Sequence, residues 1–89
     1  MIVEFDKSFD KSLDRIKDPS LRRRIERTII QIEKSDSISK LPNIKKLSGF
    51  SVYYRIRIGE YRLGIEAMDK TTIRMIILAH RKDIYRFFP

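Results

Sequence analysis

Arginines stand on both sides of a predicted tight turn in the middle of this chain. Arg55 and Arg57 precede the pair Gly59-Glu60, and Arg62 follows it. A two-residue turn that begins with glycine is typical of a type II′ β-hairpin, which would place Arg57 directly opposite Arg62. Facing like charges cost about 0.2–1 kcal/mol in a ladder, but a phosphate between them would pair with both guanidinium groups. The spacing therefore favours a phosphate-binding site, with a solvated charged face as the alternative.

The same register divides the hairpin side chains between two faces. Because alternate residues of a strand point to opposite sides of the sheet, one face is apolar and the other is cationic. Gly64 would lie across from Arg55, where its missing side chain either leaves space for a sugar or backbone or relieves packing. The predicted apolar face holds Val52, Tyr54, Ile56, Ile58, Tyr61, Leu63, Ile65 and Ala67, and the other face holds Tyr53, Arg55, Arg57, Arg62, Gly64 and Glu66.

If the bound phosphate belongs to an RNA strand that is cleaved without a metal ion, the reaction needs a base for the 2′-hydroxyl proton, cations around the phosphorane and an acid for the leaving 5′-oxygen. Arg57 and Arg62 are our candidates to stabilise the phosphorane, and Arg55 is our candidate to orient the phosphate. His80, the single histidine, is a candidate acid or base because its ordinary pKa lies near neutrality. A structural role at a strand end is the alternative for this histidine.

Composition limits the class of protein. With 89 residues, 42% of them hydrophobic and 36% charged, the chain is predicted to form one small folded domain, residues 1–89. The absence of cysteine and of paired carboxylates predicts no metal site and no cofactor. No apolar run reaches about 18 residues, and no secretion signal is recognisable, so we expect a cytoplasmic protein without membrane contact. A net charge of +8 favours a polyanionic partner: RNA, DNA, a ribosome or an acidic protein.

Two helices are predicted to follow a first strand at Ile2 to Phe5. Asp6 is a suitable cap for the first helix, and Asp18 followed by proline marks the start of the second, which reaches about Ser35. The outer face of the second helix is basic, which serves either solubility or nucleic-acid binding. Its basic residues are Arg22, Arg23, Arg24, Arg27 and Lys34.

The remaining segments complete an α+β fold. Residues 35–46 lack periodicity and are predicted to be a loop, and residues 61–68 form the return strand of the hairpin. The apolar run Met75 to Ala79 predicts a central strand over residues 71–79, followed by a short terminal helix or tail. The predicted order is β-α-α-β-β-β, with two N-terminal helices packed on a mostly antiparallel sheet. If alternation persists, His80 shares a face with Thr72, Arg74, Ile76 and Leu78.

Two strings of residues resemble a known family. Leu47-x-Gly49 followed by Tyr54-Arg-Ile-Arg-Ile-Gly-Glu-Tyr-Arg-Leu63, and the ending His80-Arg-Lys-Asp-Ile-Tyr85-Arg86, resemble the RelE branch of the RelE/ParE toxin superfamily. The resemblance implies the toxin of a type II toxin–antitoxin system, a ribosome-dependent endoribonuclease that cuts mRNA in the decoding site. It further implies contacts with 16S rRNA, inhibition by a cognate antitoxin, and contact with operator DNA only through that antitoxin.

Carried over by position, the functional residues of the family fall on Arg55, Arg57, Arg62, Arg81 and Tyr85, and we assign catalytic roles to the last four. We assign Arg55, together with Lys45, Lys46 and Arg86, to substrate binding. The best-known RelE proteins have lysines on the first hairpin strand, where this chain has arginines. Arginine does not accept a proton at accessible pH, so the general base is left open.

Two other functions compete with the mRNA-cleaving toxin. A ParE-like inhibitor of DNA gyrase would share the fold but act by binding a protein. ParE relatives generally lack the full basic and aromatic set, so Arg57, Arg62, Arg81 and Tyr85 argue against this function. A noncatalytic basic module would bind nucleic acid with a steep salt dependence but would break no strand.

Overall fold

The computed structural model describes all residues from Met1 to Pro89, which form a five-stranded sheet with helices on both faces. The sheet order is β1-β5-β4-β3-β2; β1 pairs parallel with β5, and every other pair is antiparallel. The predicted α+β class is confirmed. The elements are β1 (Ile2–Phe5), α1 (Lys7–Asp14), α2 (Pro19–Lys34), a 3-10 turn (Ile38–Lys40), β2 (Ile44–Lys46), β3 (Tyr53–Ile58), β4 (Tyr61–Ala67), β5 (Thr72–His80) and α3 (Ile84–Phe87).

The starts of both long helices follow the predicted capping signals. The carboxylate of Asp6 accepts a hydrogen bond from the Ser8 backbone N–H, and that of Asp18 accepts one from Ser20. These caps satisfy backbone donors that an isolated helix end leaves free. No helix of the chain has the length and apolar character needed to cross a membrane.

The main core lies between the sheet and helices α1 and α2. The hairpin contributes its apolar face, and the helices contribute one stripe each, as their spacing predicts. On the opposite face, the terminal segment packs through Ile84 and Phe88 against Ala79. The buried side chains of the main core include Ile56, Ile58, Leu63 and Ile65 from the hairpin and Phe9, Ile25 and Ile32 from the helices.

A short strand lies where the sequence predicted only loop. Ile44–Lys46 pairs antiparallel with β3, so that Lys45 lies opposite Arg55. Three residues are too few to show an alternating pattern, and the pairing with β3 supplies the order that local sequence does not. The sheet therefore has one strand more than predicted.

A β-bulge changes the face of the sheet toward which the last side chains of β5 point. Leu63 pairs with Leu78, but Ile65 pairs with Met75, so β5 carries one extra residue between these pairs. One inserted residue reverses the alternation beyond it. His80 and Leu78 therefore face the helices, as Met75 does, and the predicted grouping of His80 with Thr72 and Arg74 is wrong.

Two serines of α1 form hydrogen bonds with the backbone of β5 in the part of that strand that β1 does not reach. The hydroxyl of Ser8 donates to the carbonyl of Ile76. The buried hydroxyl of Ser12 accepts from the Leu78 backbone N–H at 2.9 Å and donates to the Phe9 carbonyl at 2.8 Å. These hydroxyls thus replace the hydrogen bonds that a neighbouring strand would make.

We expect the variant Ser12→Ala to lower the free energy of unfolding by about 1–3 kcal/mol, because it leaves the buried Leu78 N–H without an acceptor. Urea unfolding measures this loss. Ser39→Ala is the matched control, because the Ser39 hydroxyl contacts only Ser37 in an exposed segment. Equal stability of the two variants would contradict this role for Ser12.

Candidate active site

The hairpin places the two arginines opposite each other, as predicted. Arg57 pairs with Arg62 across β3 and β4, and Ile58 pairs with Tyr61 beside the turn. Gly59 has a φ of 60°, as a type II′ turn requires of its first central residue. A Cβ at Gly59 would stand 2.6 Å from the Nη1 of Arg24, but the flexible arginine side chain can move away, so the requirement for glycine comes from its positive φ.

The two arginines line a cationic groove of about 400 Å³ on the face of the sheet away from α1 and α2. Strands β2, β3 and β4 form its floor, and α3 contributes one aromatic side chain. None of the three ion pairs in the protein involves a cation of this groove. The lining residues are Asn43, Lys45, Arg55, Arg57, Arg62 and Tyr85, four of them cationic and none acidic.

Arg62 is oriented by its own turn. Its Nη1 donates to the carbonyl oxygens of Gly59 at 3.0 Å and Tyr61 at 2.9 Å. Its Nη2 donates no hydrogen bond within the protein. The half-buried guanidinium is thus held on one edge and free on the other, an arrangement suited to an anionic oxygen in the groove.

Tyr85 covers Arg55 at the side of the groove. The guanidinium carbon of Arg55 lies 4.7 Å from the centre of the Tyr85 ring, within cation–π range. The Nε of Arg55 is buried and has no hydrogen-bond partner. Hydrogen bonding from Arg55 lowers the pKa of the Tyr85 phenol below its ordinary value of 10.0, and the charges of Arg55, Lys45 and Arg62 act in the same direction.

His80 lies on the other side of the sheet. Its ring packs against Tyr61, with the ring centres 5.7 Å apart, and its Nδ1 accepts from the Lys82 backbone N–H at 3.2 Å. It lines a separate cavity of about 250 Å³ beside Ser12 and Ile16. The structure therefore does not bring His80 to the arginines, because the β5 bulge turns it toward α1.

Three further candidates also lie outside the groove. Arg81 is paired with Glu60 of the hairpin turn, with its Nε 2.8 Å from the carboxylate oxygen Oε2. Lys46 lies opposite Tyr54, whose ring packs on the helix side of the sheet. Arg86 is exposed on α3 and does not line the groove. The predicted residues that the structure brings together are Lys45, Arg55, Arg57, Arg62 and Tyr85.

The space above Gly64 is filled by protein. The ring of Phe88 lies 2.7–2.8 Å from the place where a Cβ of Gly64 would stand. Of the two interpretations of this glycine, packing applies and room for a sugar does not. The aromatic ring fixes the terminal segment, and with it Tyr85, against the sheet.

Asn43 is a lining residue that the sequence did not reveal as one. It has a φ of 60°, and its carbonyl accepts from the Arg57 backbone N–H at 3.0 Å. The pair Pro42-Asn43 is a recognisable turn signal, because proline suits the first central position of a type II turn and asparagine tolerates positive φ at the second. That signal predicts a turn, but it does not indicate where the turn lies relative to Arg57.

No protein-family model matches the chain. The chain is 43% identical over 90 residues to toxin RelE3 of Methanocaldococcus jannaschii, with both proteins covered over their full length. It is also similar to a chain of the RelB–RelE antitoxin–toxin complex from Methanococcus jannaschii, at 40% identity and a TM-score of 0.80, covering 97% of this chain and 99% of that one. The intact Escherichia coli RelBE complex shares the fold at 22% identity and a TM-score of 0.69, with 89% and 94% covered.

The first two of these similarities extend over nearly the whole chain. The chain belongs to the RelE family of toxins, as its two strings of residues indicated.

Proposed function

We propose that this RelE-family protein is a ribosome-dependent endoribonuclease that cuts mRNA without a metal ion. The observation that carries the proposal is the pair of facing arginines in a groove that has four cations and no acidic side chain. The phosphorane of RNA cleavage concentrates negative charge on the oxygens around one phosphorus, which a cluster of cations stabilises. The protein would act in the cytoplasm, where translating ribosomes present the message.

In the proposed reaction, the 2′-oxygen of the message attacks the adjacent phosphorus while its proton passes to a base. The bond from phosphorus to the 5′-oxygen then breaks, and that oxygen takes up a proton. The products are a 2′,3′-cyclic phosphate and a 5′-hydroxyl. Arg57 and Arg62 would stabilise the crowded phosphorane, and Arg55 and Lys45 would hold the substrate phosphates.

Arg81 would join this set by leaving Glu60. The pair is exposed, with side-chain exposures of 56% for Arg81 and 68% for Glu60. Exposed ion pairs contribute only about 0.2–1 kcal/mol, so a substrate phosphate competes readily for this arginine.

The proton acceptor in this proposal is Tyr85. The arginines of the groove remain charged and cannot accept a proton, whereas the phenol of Tyr85 can do so as its phenolate. The lowered pKa of the phenol increases the fraction of phenolate at any pH below it.

We therefore expect the cleavage rate to rise by about tenfold per pH unit below the pKa of Tyr85 and to level off there, below pH 10.0. The variant Tyr85→Phe should lack this rising limb. Single-turnover cleavage of ribosome-bound mRNA from pH 6 upward measures both profiles. A rate that falls as the phenol ionises would make Tyr85 the proton donor, and identical profiles would exclude it from proton transfer.

Primer extension on transcripts from a translation extract tests the proposed function directly. We expect cuts that appear only on translated messages and that keep a constant phase within codons. Uncut messages together with inhibited gyrase would instead indicate a ParE-like activity. Binding of RNA without any strand breakage would indicate a noncatalytic module.

We further propose a cognate antitoxin as the protein partner. The similar structures from Methanococcus jannaschii and Escherichia coli are complexes of RelE with RelB, and this chain carries a net charge of +8. An acidic antitoxin segment that covers the groove would gain association rate from charge complementarity. Calorimetry with the cognate antitoxin should show tight binding that weakens with salt and that blocks cleavage. A bound antitoxin that leaves cleavage intact would contradict this inhibition.

A further inference from the structure

An aromatic row continues the cationic groove along the same face of the sheet. The row consists of Phe50, Tyr53 and Phe88. Phe50 packs edge-on against Tyr53, with ring centres 5.5 Å apart, and Tyr53 packs edge-on against Phe88 at the same distance. Phe88 is buried, but Phe50 at the other end is 46% exposed. The buried part of the row therefore supports the ring of Phe50, which is accessible to solvent.

A tight turn in the loop between β2 and β3 fixes the backbone position of Phe50. The Phe50 backbone N–H donates to the Leu47 carbonyl at 3.3 Å, and Gly49 between them has a φ of 83°. This is the pattern of a type II turn, which needs positive φ at its second central residue. A Cβ at Gly49 would meet nothing within 4 Å, so this glycine is explained by conformation and not by crowding.

Phe50 packs on Tyr53, the first of three β3 side chains that lie in line on the groove face. Tyr53 precedes Arg55 by two residues on β3, and Arg55 precedes Arg57 by two, so the three side chains share one face at steps of about 6.6 Å. These steps are similar to the separation of successive phosphates in an extended single strand. A strand held by the arginines would thus carry a base toward Phe50.

We propose that Phe50 is a stacking platform for an unpaired base of single-stranded RNA, adjacent to the phosphates held by Arg55 and Arg57. The inference rests on the proposed function, because it needs an RNA strand in the groove. Single-stranded nucleic acid is bound by this combination of a cationic track and exposed aromatic rings. Tyr53 and Phe88 would act as support, keeping the Phe50 ring at a fixed position.

The chain contains no tryptophan, so Phe50→Trp introduces a single indole reporter at the proposed platform. The probe is a short single-stranded RNA with 2′-O-methyl riboses, which binds without being cut. We expect indole fluorescence to be quenched on titration with this oligonucleotide. Removal of one base, leaving an abasic ribose, should abolish quenching at a single position, while the phosphate contacts still bind the oligonucleotide with lower affinity.

Phe50→Ala should weaken binding of the same oligonucleotide by roughly 5- to 150-fold, the loss expected for one stacked base. The salt dependence should keep its slope, since no phosphate contact is removed. Arg57→Ala should instead reduce the slope by about 0.7. Phe50→Tyr should restore binding, and Met68→Ala serves as the control, because Met68 is 41% exposed beyond the end of β4.

Each outcome decides between specific alternatives. Wild-type affinity of Phe50→Ala, in a protein that still binds and cuts RNA, would overturn the platform alone. Unchanged RNA affinity together with weaker antitoxin binding would assign Phe50 to the protein partner and would also overturn it. A wild-type protein that does not bind the oligonucleotide would overturn the platform, whereas codon-phased cuts on translated messages would still support the proposed function.

Discussion

Replacing Arg62 with alanine should slow mRNA cleavage by about 10²–10³-fold, the usual loss for one donor to a transition-state anion. Arg62 combines three features that predict a large effect. It faces Arg57 across the hairpin, its Nη1 is fixed by the carbonyls of Gly59 and Tyr61, and its other edge is open to the groove. Because the guanidinium is already held in place, it does not have to reorient when negative charge develops on the phosphorane. Its hydrogen bond therefore stabilises the transition state at little cost.

The controls for Arg62→Ala separate charge, geometry and folding. Arg23→Ala removes the same charge from an exposed position of α2, on the opposite side of the sheet, and should leave cleavage unchanged. Arg62→Lys keeps the charge but loses the planar fork, so its rate should lie between those of wild type and Arg62→Ala. Thermal unfolding of each variant shows whether the protein remains folded. Undiminished cleavage by a folded Arg62→Ala protein would remove this arginine from the site.

The hairpin could be predicted from sequence because its register is decided locally. The dipeptide Gly59-Glu60 specifies the turn, and the turn specifies every pair from Ile58 with Tyr61 to Arg55 with Gly64. The helix caps at Asp6 and Asp18 are local in the same way. Within such a segment, the opposing arginines follow from counting residues.

The rest of the site depends on contacts between distant parts of the chain. The strand β2 exists because Lys45 and its neighbours pair with β3, and the bulge in β5 arises from pairing with β4. The position of Tyr85 depends on Phe88, which packs on Gly64 from 24 residues away in sequence. Alternation and capping rules contain no information on such packing, so the sequence predicted the arginines together but not which other candidates join them.

Phe88→Ala should be the most destabilising substitution at the site, with a loss of about 3 kcal/mol in the free energy of unfolding. Truncation of a buried phenylalanine typically costs about 3–5 kcal/mol, and the lower end applies because this segment is terminal. Phe88 is only 4% exposed and contacts both Tyr53 and Gly64. Because α3 carries Tyr85, cleavage should fall together with stability. Urea unfolding and the cleavage assay measure the two losses, and Phe87→Ala is the control, since that ring is 56% exposed.

A double-mutant cycle with Gly64 tests whether Phe88 acts through this contact. In the wild-type background, Gly64→Ala should cost about 1–3 kcal/mol, because its Cβ would stand 2.7 Å from the Phe88 ring. In the Phe88→Ala background the same methyl group enters vacated space and should cost almost nothing. Gly49→Ala is the matched control: its cost comes from its φ of 83° and should be equal in both backgrounds. Additive losses for Gly64 and Phe88 would mean that the ring is held by other contacts, and that this glycine does not fix the position of Tyr85.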